Sequence, residues 1–124
     1  MFIIIMRKIG KKEGATSEST VIKEITDYVK QNYSEHISLS ELAKKHNYSL
    51  SHISKKFLNE MGVGFTQYLQ KIRIEQSCRL LESGQHTVSE IASLVGYSDI
   101  KFFNKVFKET LGVTPREFKK INIK

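Results

Sequence analysis

The chain has 124 residues, 40% hydrophobic and 27% charged, a composition that excludes a disordered polypeptide and fits one small domain. Its 20 Lys and Arg residues outnumber 13 Asp and Glu residues, and the net charge of +7 favours a polyanionic partner without identifying it. The single cysteine, Cys78, excludes an intrachain disulfide, and no apolar run approaches the roughly 18 residues of a membrane span. We therefore expect a soluble cytoplasmic protein that makes no membrane contact.

The first 18 residues differ in composition from the rest. A short apolar tip precedes "RKIGKKEGATSE", which is rich in Lys, Gly and Ser, so residues 1–18 are predicted to be a linker or N-terminal extension. From Ser19 onward, 16 basic residues stand against 11 acidic ones, a net charge of +5. The predicted domain, residues 19–124, is therefore itself basic.

The first half of this domain has the pattern of three short helices. Apolar residues recur at helical spacing in "STVIKEITDYVKQNY", and a second helix is predicted from "SLSELAKKH", where Ser38 and Glu41 have the spacing of a capping box. A third helix is expected from Leu50 to about Met61. Gly62 follows, placed to adopt the left-handed conformation at a helix end.

The second half repeats this pattern after a long helix predicted over about residues 65–82. Another capping box, Thr87 with Glu90, starts a helix that ends near Val95. The next runs from residue 99 or 100 to 111, and the last opens at "TPREF" with a proline in the first turn and a third capping box. No strand pattern is convincing, so the fold class is all-α with about seven helices.

The two halves contain one device twice. "SELAKKHNYSL" at residues 40–50 matches "SEIASLVGYSD" at residues 89–99, and both copies lead, past one extra residue in the second, to a shared Gly-Val. Asn47 and Gly96 occupy the turn, which needs a residue that tolerates positive φ. Ser49 and Ser98 are predicted to cap the following helix. Two helices joined by a short turn make a helix-turn-helix. Because the pattern occurs twice, it is unlike a structural turn between helices that arose by chance.

The second helix of each pair has a predictable outer face. Ile53, Phe57 and Met61 should point inward in the first unit. Phe103, Phe107 and Leu111 should do so in the second, with Phe102 and Val106 widening that face. The side chains left outside are short, polar or basic, as in helices that contact base edges or phosphates from a major groove. They are Ser51, Ser54 and Lys55, followed by Leu58, in the first helix, and Ile100, Lys101, Asn104, Lys105 and Lys108 in the second.

With "GYSDIKFFNKVFKETLGVTPREFKK" near its end, the chain resembles the AraC/XylS family of transcriptional regulators over about residues 19–120. The resemblance implies two helix-turn-helix units, about residues 38–62 and 87–112, whose recognition helices enter successive major grooves. It implies double-stranded DNA as the partner, with RNA polymerase and an upstream sensor domain outside this chain as further candidates. It implies no cofactor. The family's base-reading surface falls on Ser51, Ser54, Lys55, Ile100, Lys101, Asn104 and Lys105.

The chain departs from the family pattern at three places. Asn47 replaces a glycine common in the first turn, and Lys119 stands where an arginine is common. The first recognition helix offers Ser51 and Ser54 where larger side chains could reach farther, so we expect its base reading to be weak.

The sequence gives weaker support to two other classes of function. A basic helical module that binds an acidic protein would explain the charge but not the duplication. An enzyme lacks support, because the four histidines form no metal-ligand motif and no nucleophile motif surrounds any serine. "GVGFTQ" at residues 62–67 resembles part of a phosphate-binding loop, but no strand precedes it, and it is better interpreted as a helix end followed by a helix start.

Overall fold

The computed structural model describes residues 20–122, so the predicted linker at residues 1–18 lies outside the described part. Within it the chain forms seven helices and no strand, as the sequence predicts. They are α1 (Thr20–Asn32), α2 (Leu39–Lys45), α3 (Leu50–Met61), α4 (Phe65–Ser83), α5 (Val88–Leu94), α6 (Ile100–Leu111) and α7 (Pro115–Asn122).

Helix α4 is shared by two hydrophobic cores. Its first half packs with α1, α2 and α3, around the fully buried Ile53 and Phe57. Its second half packs with α5, α6 and α7, around the fully buried Phe103 and Phe107. Each core therefore contains one helix-turn-helix, α2 with α3 in the first unit and α5 with α6 in the second.

The cores use aromatic rings at equivalent positions. Phe57 meets the ring of Tyr68 at 5.5 Å between centroids, and its counterpart Phe107 meets that of Phe118 at 5.7 Å, both edge-on. Edge-to-face rings at such separations stabilise a core beyond the area they bury. The sequence repeat is therefore also a repeat of packing.

Two of the three predicted capping boxes form completely. The amide N–H of Thr87 donates to a carboxylate oxygen of Glu90 at 2.9 Å, and the Glu90 N–H donates to the Thr87 hydroxyl at 3.1 Å. Thr114 and Glu117 repeat this geometry. At the start of α2 only half of the box is present: the Ser38 hydroxyl accepts from the Glu41 N–H, without the reciprocal bond. The prediction of a complete box there was wrong.

The predicted cap of α6 was also wrong. Ser49 caps α3 as expected, but at α6 the cap is Asp99, whose carboxylate accepts from the Lys101 N–H at 2.9 Å. The extra residue of the second copy is therefore accommodated in the turn, before the helix begins. Counted from the helix start, Asp99 and not Ser98 is the counterpart of Ser49.

The capping box at α5 should contribute measurably to stability. We expect Thr87→Ala to lower the free energy of unfolding by about 1 kcal/mol, because one amide of the first turn loses its partner. Urea denaturation measures the change. Thr66→Ala, at an exposed position in α4, is the control and should be neutral or slightly stabilising. Equal losses in both variants would mean that the box contributes nothing.

Candidate nucleic-acid interface

The turns of the two units have the same internal hydrogen bond. The Tyr48 N–H donates to the Ala43 carbonyl oxygen at 2.8 Å, and the Tyr97 N–H donates to that of Ala92 at the same distance. The preceding residue has positive φ in both units, 64° at Asn47 and 107° at Gly96. The two turns are therefore versions of one structure, as the sequence predicts.

The backbone conformation of the residue before each turn tyrosine explains why that residue is Asn47 in the first unit and Gly96 in the second. A φ of 64° lies in the left-handed region that Asn tolerates, whereas 107° lies beyond it, where glycine has no steric cost. A Cβ atom at Gly96 would also lie 3.0 Å from the Tyr33 carbonyl oxygen and 3.0 Å from Arg73 Nε. The second turn therefore requires glycine for two reasons, and the first does not.

The tyrosine of each turn packs against its recognition helix. Tyr48 is partly buried and meets the ring of His52 edge-on, with 5.0 Å between centroids. Tyr97 is buried, 5.4 Å from the ring of Phe103, and its burial raises the pKa of its hydroxyl to about 12. It therefore stays protonated at any physiological pH and acts as an uncharged part of the second core.

The predicted contact residues occupy equivalent positions in the two recognition helices. In α3, Ser51, Ser54 and Lys55 are residues 2, 5 and 6 of the helix. Lys101, Asn104 and Lys105 have the same places in α6, with Ile100 at the first position and Lys108 at the ninth. The fully buried residues lie between them at positions 4 and 8 in both helices. Spacing alone therefore puts each set on one face, turned away from the core.

Exposure of these side chains follows the prediction with two differences. All eight are exposed except Asn104, which is half-buried. Phe102, predicted to widen the inner face, is instead 44% exposed, with its ring 5.9 Å from that of Tyr97. The prediction for Phe102 was wrong, because Phe103 and Val106 already fill the inner face and leave Phe102 at its edge.

The outward faces carry free positive charge. Within residues 20–122, Lys55, Lys101 and Lys105 form no ion pair, so their ammonium groups are available to an external anion. The pKa of the Glu117 carboxyl is lowered, mainly by its hydrogen bond from the Thr114 backbone N–H and to a smaller extent by the positive charge of Lys108. The second helix presents three lysines where the first presents one.

Sequence reasoning missed Leu50 as a member of this surface. Leu50 is the first residue of α3, 49% exposed, and is the counterpart of Ile100, which is 38% exposed. The equivalence of Leu50 and Ile100 depends on the register of the two helices. It is hidden when Ser49 is aligned with Ser98, and it becomes visible when the two cap residues, Ser49 and Asp99, are aligned. An apolar side chain at this place can contact a thymine methyl group.

Other kinds of site find little support in the described residues. Residues 20–122 bring together no three His, Cys, Asp or Glu side chains in a way that could hold a metal ion. None of their helices has the length and apolar character needed to cross a bilayer.

Comparison with known proteins supports the same interpretation. A family model described as a helix-turn-helix domain matches residues 42–121. The C-terminal domain of AraT, a response regulator from Geobacillus stearothermophilus, superposes with a TM-score of 0.82 at 28% identity, covering 88% of this chain and 91% of that one.

Two curated relatives are longer proteins. An uncharacterised HTH-type transcriptional regulator of Staphylococcus aureus (strain MSSA476) is 35% identical over 98 residues, which are 79% of this chain and 13% of the relative. The HTH-type transcriptional activator RhaR of Mannheimia succiniciproducens is 28% identical over all 124 residues, 45% of its own length. This chain thus spans less than half of either relative. It belongs to the AraC/XylS family of DNA-binding transcriptional regulators, which is a family of regulators and not of enzymes.

Proposed function

We propose that this chain binds duplex DNA sequence-specifically as a monomer, with α3 and α6 each in a major groove. The observation that supports this most is the duplicated turn: the same hydrogen bond at 2.8 Å, followed by helices with outward residues at the same positions. Helix α4 has 19 residues, about 28 Å at 1.5 Å per residue. That length is comparable with the roughly 34 Å between successive major grooves.

The contact residues have different proposed roles. Lys101 and Lys105 can donate to guanine acceptors, and Asn104 can pair with adenine, each contact being worth about 1–3 kcal/mol of discrimination. The hydroxyls of Ser51 and Ser54 can donate or accept and so discriminate little, which leaves Lys55 as the main long donor of α3. Leu50 and Ile100 lie where they could contact a thymine methyl group. Lys108, farther along α6, is proposed to contact phosphate.

These roles predict different effects of alanine substitution in α6. Asn104→Ala or Lys105→Ala should relax the base preference of one half-site by about 1–3 kcal/mol. Lys108→Ala should weaken binding to all sequences alike and lower the salt slope by about 0.9, the value for one phosphate contact. Titration against specific and scrambled duplexes at several salt concentrations separates the two patterns.

A matched control for lost charge is Lys30→Ala, on α1 and outside both recognition helices. It should leave both base preference and salt slope nearly unchanged. Equal losses of affinity for specific and scrambled duplexes in Asn104→Ala and Lys105→Ala would mean that α6 contacts only the sugar-phosphate backbone of DNA.

We propose further that residues 19–124 are the DNA-binding domain of a longer cytoplasmic regulator, joined through residues 1–18 to a sensor domain. The named activator RhaR among the relatives supports activation, through contact with RNA polymerase, over repression. Activation is tested with a reporter gene placed downstream of a binding site that has been selected from random duplex DNA. Expression of the reporter should rise when the full-length regulator is present. A fall in expression would indicate a repressor.

The second candidate is a basic module that binds an acidic protein, which the net charge favours. It differs from the first in one measurable respect. Sequence-specific DNA binding gives a large affinity ratio between specific and scrambled duplexes at physiological salt, about 10³ or more. A ratio near one would favour the protein-interaction module.

A further inference from the structure

The boundary between the two cores falls at a single residue of α4. Ile72 belongs to the first core and Ile74 to the second, and Arg73 lies between them. All extensive helix packing within residues 20–122 either stays inside one unit or involves α4 itself. The relative placement of the two units therefore depends on α4 and on whatever contacts surround its midpoint.

Arg73 makes those contacts with both units. Its Nε donates to the Tyr33 carbonyl oxygen at 2.6 Å, and its Nη2 donates to that of Glu35 at 2.9 Å. Both carbonyls follow the end of α1, where a cation also interacts favourably with the helix dipole. On the other side the guanidinium carbon lies 5.4 Å from the ring centre of Tyr97, in the turn of the second unit.

Two further features make this junction tight. The Tyr33 side chain packs against both cores. Gly96 lies so close that even a Cβ atom would come within 3.0 Å of Arg73 Nε and of the Tyr33 carbonyl oxygen. A rotation of one unit against the other would separate Arg73 either from the two carbonyl oxygens of the first unit or from the Tyr97 ring of the second, or would press Gly96 against Tyr33 and Arg73. The junction therefore resists such movement.

We propose that Arg73 is a positioning residue that holds the two recognition helices in a fixed relative placement and thereby sets the spacing of half-sites that the chain accepts. The inference rests on the proposed two-groove binding. Arg73 does not need to touch DNA for this role. Its planar fork holds two carbonyl oxygens and a ring face together, which a lysine ammonium cannot do in one geometry.

The direct test varies the spacing between the two half-sites of a selected site, one base pair at a time. The wild-type chain should show a sharp optimum. For Arg73→Met, which keeps bulk but removes the donors, the affinity penalty for a one-base-pair shift should become about tenfold smaller, equivalent to about 1.4 kcal/mol. The base preference within each half-site should stay the same, since no contact residue has changed.

The matched control is Arg79→Met, which removes the same charge from the same helix. Arg79 is exposed, and the one ion pair that it forms among residues 20–122 is with Glu75 on the same helix, at 3.9 Å between Nη2 and a carboxylate oxygen. Its spacing profile should equal that of the wild type. An unchanged profile for Arg73→Met, or an equal broadening for Arg79→Met, would overturn the proposal.

A second measurement needs no DNA and so separates this proposal from the proposed function. Spin labels on Leu58→Cys in α3 and Glu109→Cys in α6, both exposed positions, report the distance between the recognition helices. The native Cys78 is fully buried, and burial raises the pKa of its thiol to about 12, so it should stay unlabelled.

The width of the distance distribution decides the question. It should be narrow in the wild-type background, broad with Arg73→Met and intermediate with Arg73→Lys, which keeps the charge but lacks the planar fork of the guanidinium. A distribution as narrow in Arg73→Met as in the wild type would contradict the role. If the wild type has a narrow distribution but no spacing optimum on DNA, the two-groove binding has failed, together with any role of Arg73 in spacing.

Discussion

Gly96→Val should lower the free energy of unfolding by about 2–6 kcal/mol, because two separate costs add. A β-branched residue at a φ of 107° is strained by about 1–3 kcal/mol. Its Cβ would also come within 3.0 Å of a backbone oxygen, that of Tyr33, which cannot move aside as a flexible side chain could. Overpacking of this kind costs a further 1–3 kcal/mol or so. Urea denaturation followed by circular dichroism measures the sum.

The first turn provides the matched control for Gly96→Val. Asn47→Gly should be close to neutral, since Asn already tolerates a φ of 64° and glycine removes only a small strain. Gly96→Asn should still be destabilising, because its Cβ meets the same oxygen. A neutral Gly96→Val or Gly96→Asn would show that the second turn does not have this backbone.

Phe107→Ala should lower the free energy of unfolding by about 3–5 kcal/mol, the usual cost of truncating a buried aromatic residue. Phe107 is fully buried and contacts the rings of Phe103 and Phe118 at 5.8 and 5.7 Å. Because the two cores are separate along most of their length, we expect the damage to concentrate in the second unit. On DNA, protection of the half-site bound by α6 should fall more than that of the other.

Phe57→Ala is the counterpart in the first core and should show the reverse footprint. Hydrogen exchange checks the localisation independently of DNA, since amides of α5–α7 should lose protection first in Phe107→Ala. Uniform loss of protection in both units would mean that they unfold as one body, and the idea of two separable cores would then be wrong.

The sequence predicted most of the fold because the signals are local. Capping boxes at residues 87 and 114 and glycines at helix ends are decided within a few residues, and the structure has the helices where these signals place them. The two errors at helix starts have local causes as well. Ser38 lacks the reciprocal bond from Glu41, and Asp99 competes successfully with Ser98 for the cap of α6.

The junction could not be predicted, because it joins residues about 40 positions apart. Nothing in the local sequence indicates that Arg73 donates to backbone carbonyls at residues 33 and 35 or lies over the ring of Tyr97. For the same reason, Gly96 looked like a turn glycine only, and its second role in admitting Arg73 became visible with the fold. The roles of the eight outward residues in contacting DNA stay a prediction.

The central claim is that one chain, as a monomer, reads two unlike half-sites with its two different recognition helices. The most direct measurement selects binding sites from random duplex DNA, then combines hydroxyl-radical footprinting with the stoichiometry of the complex by sedimentation. We predict one chain per duplex and two dissimilar protected half-sites about 10 base pairs apart. A strictly palindromic site, bound only by two chains together, would contradict it.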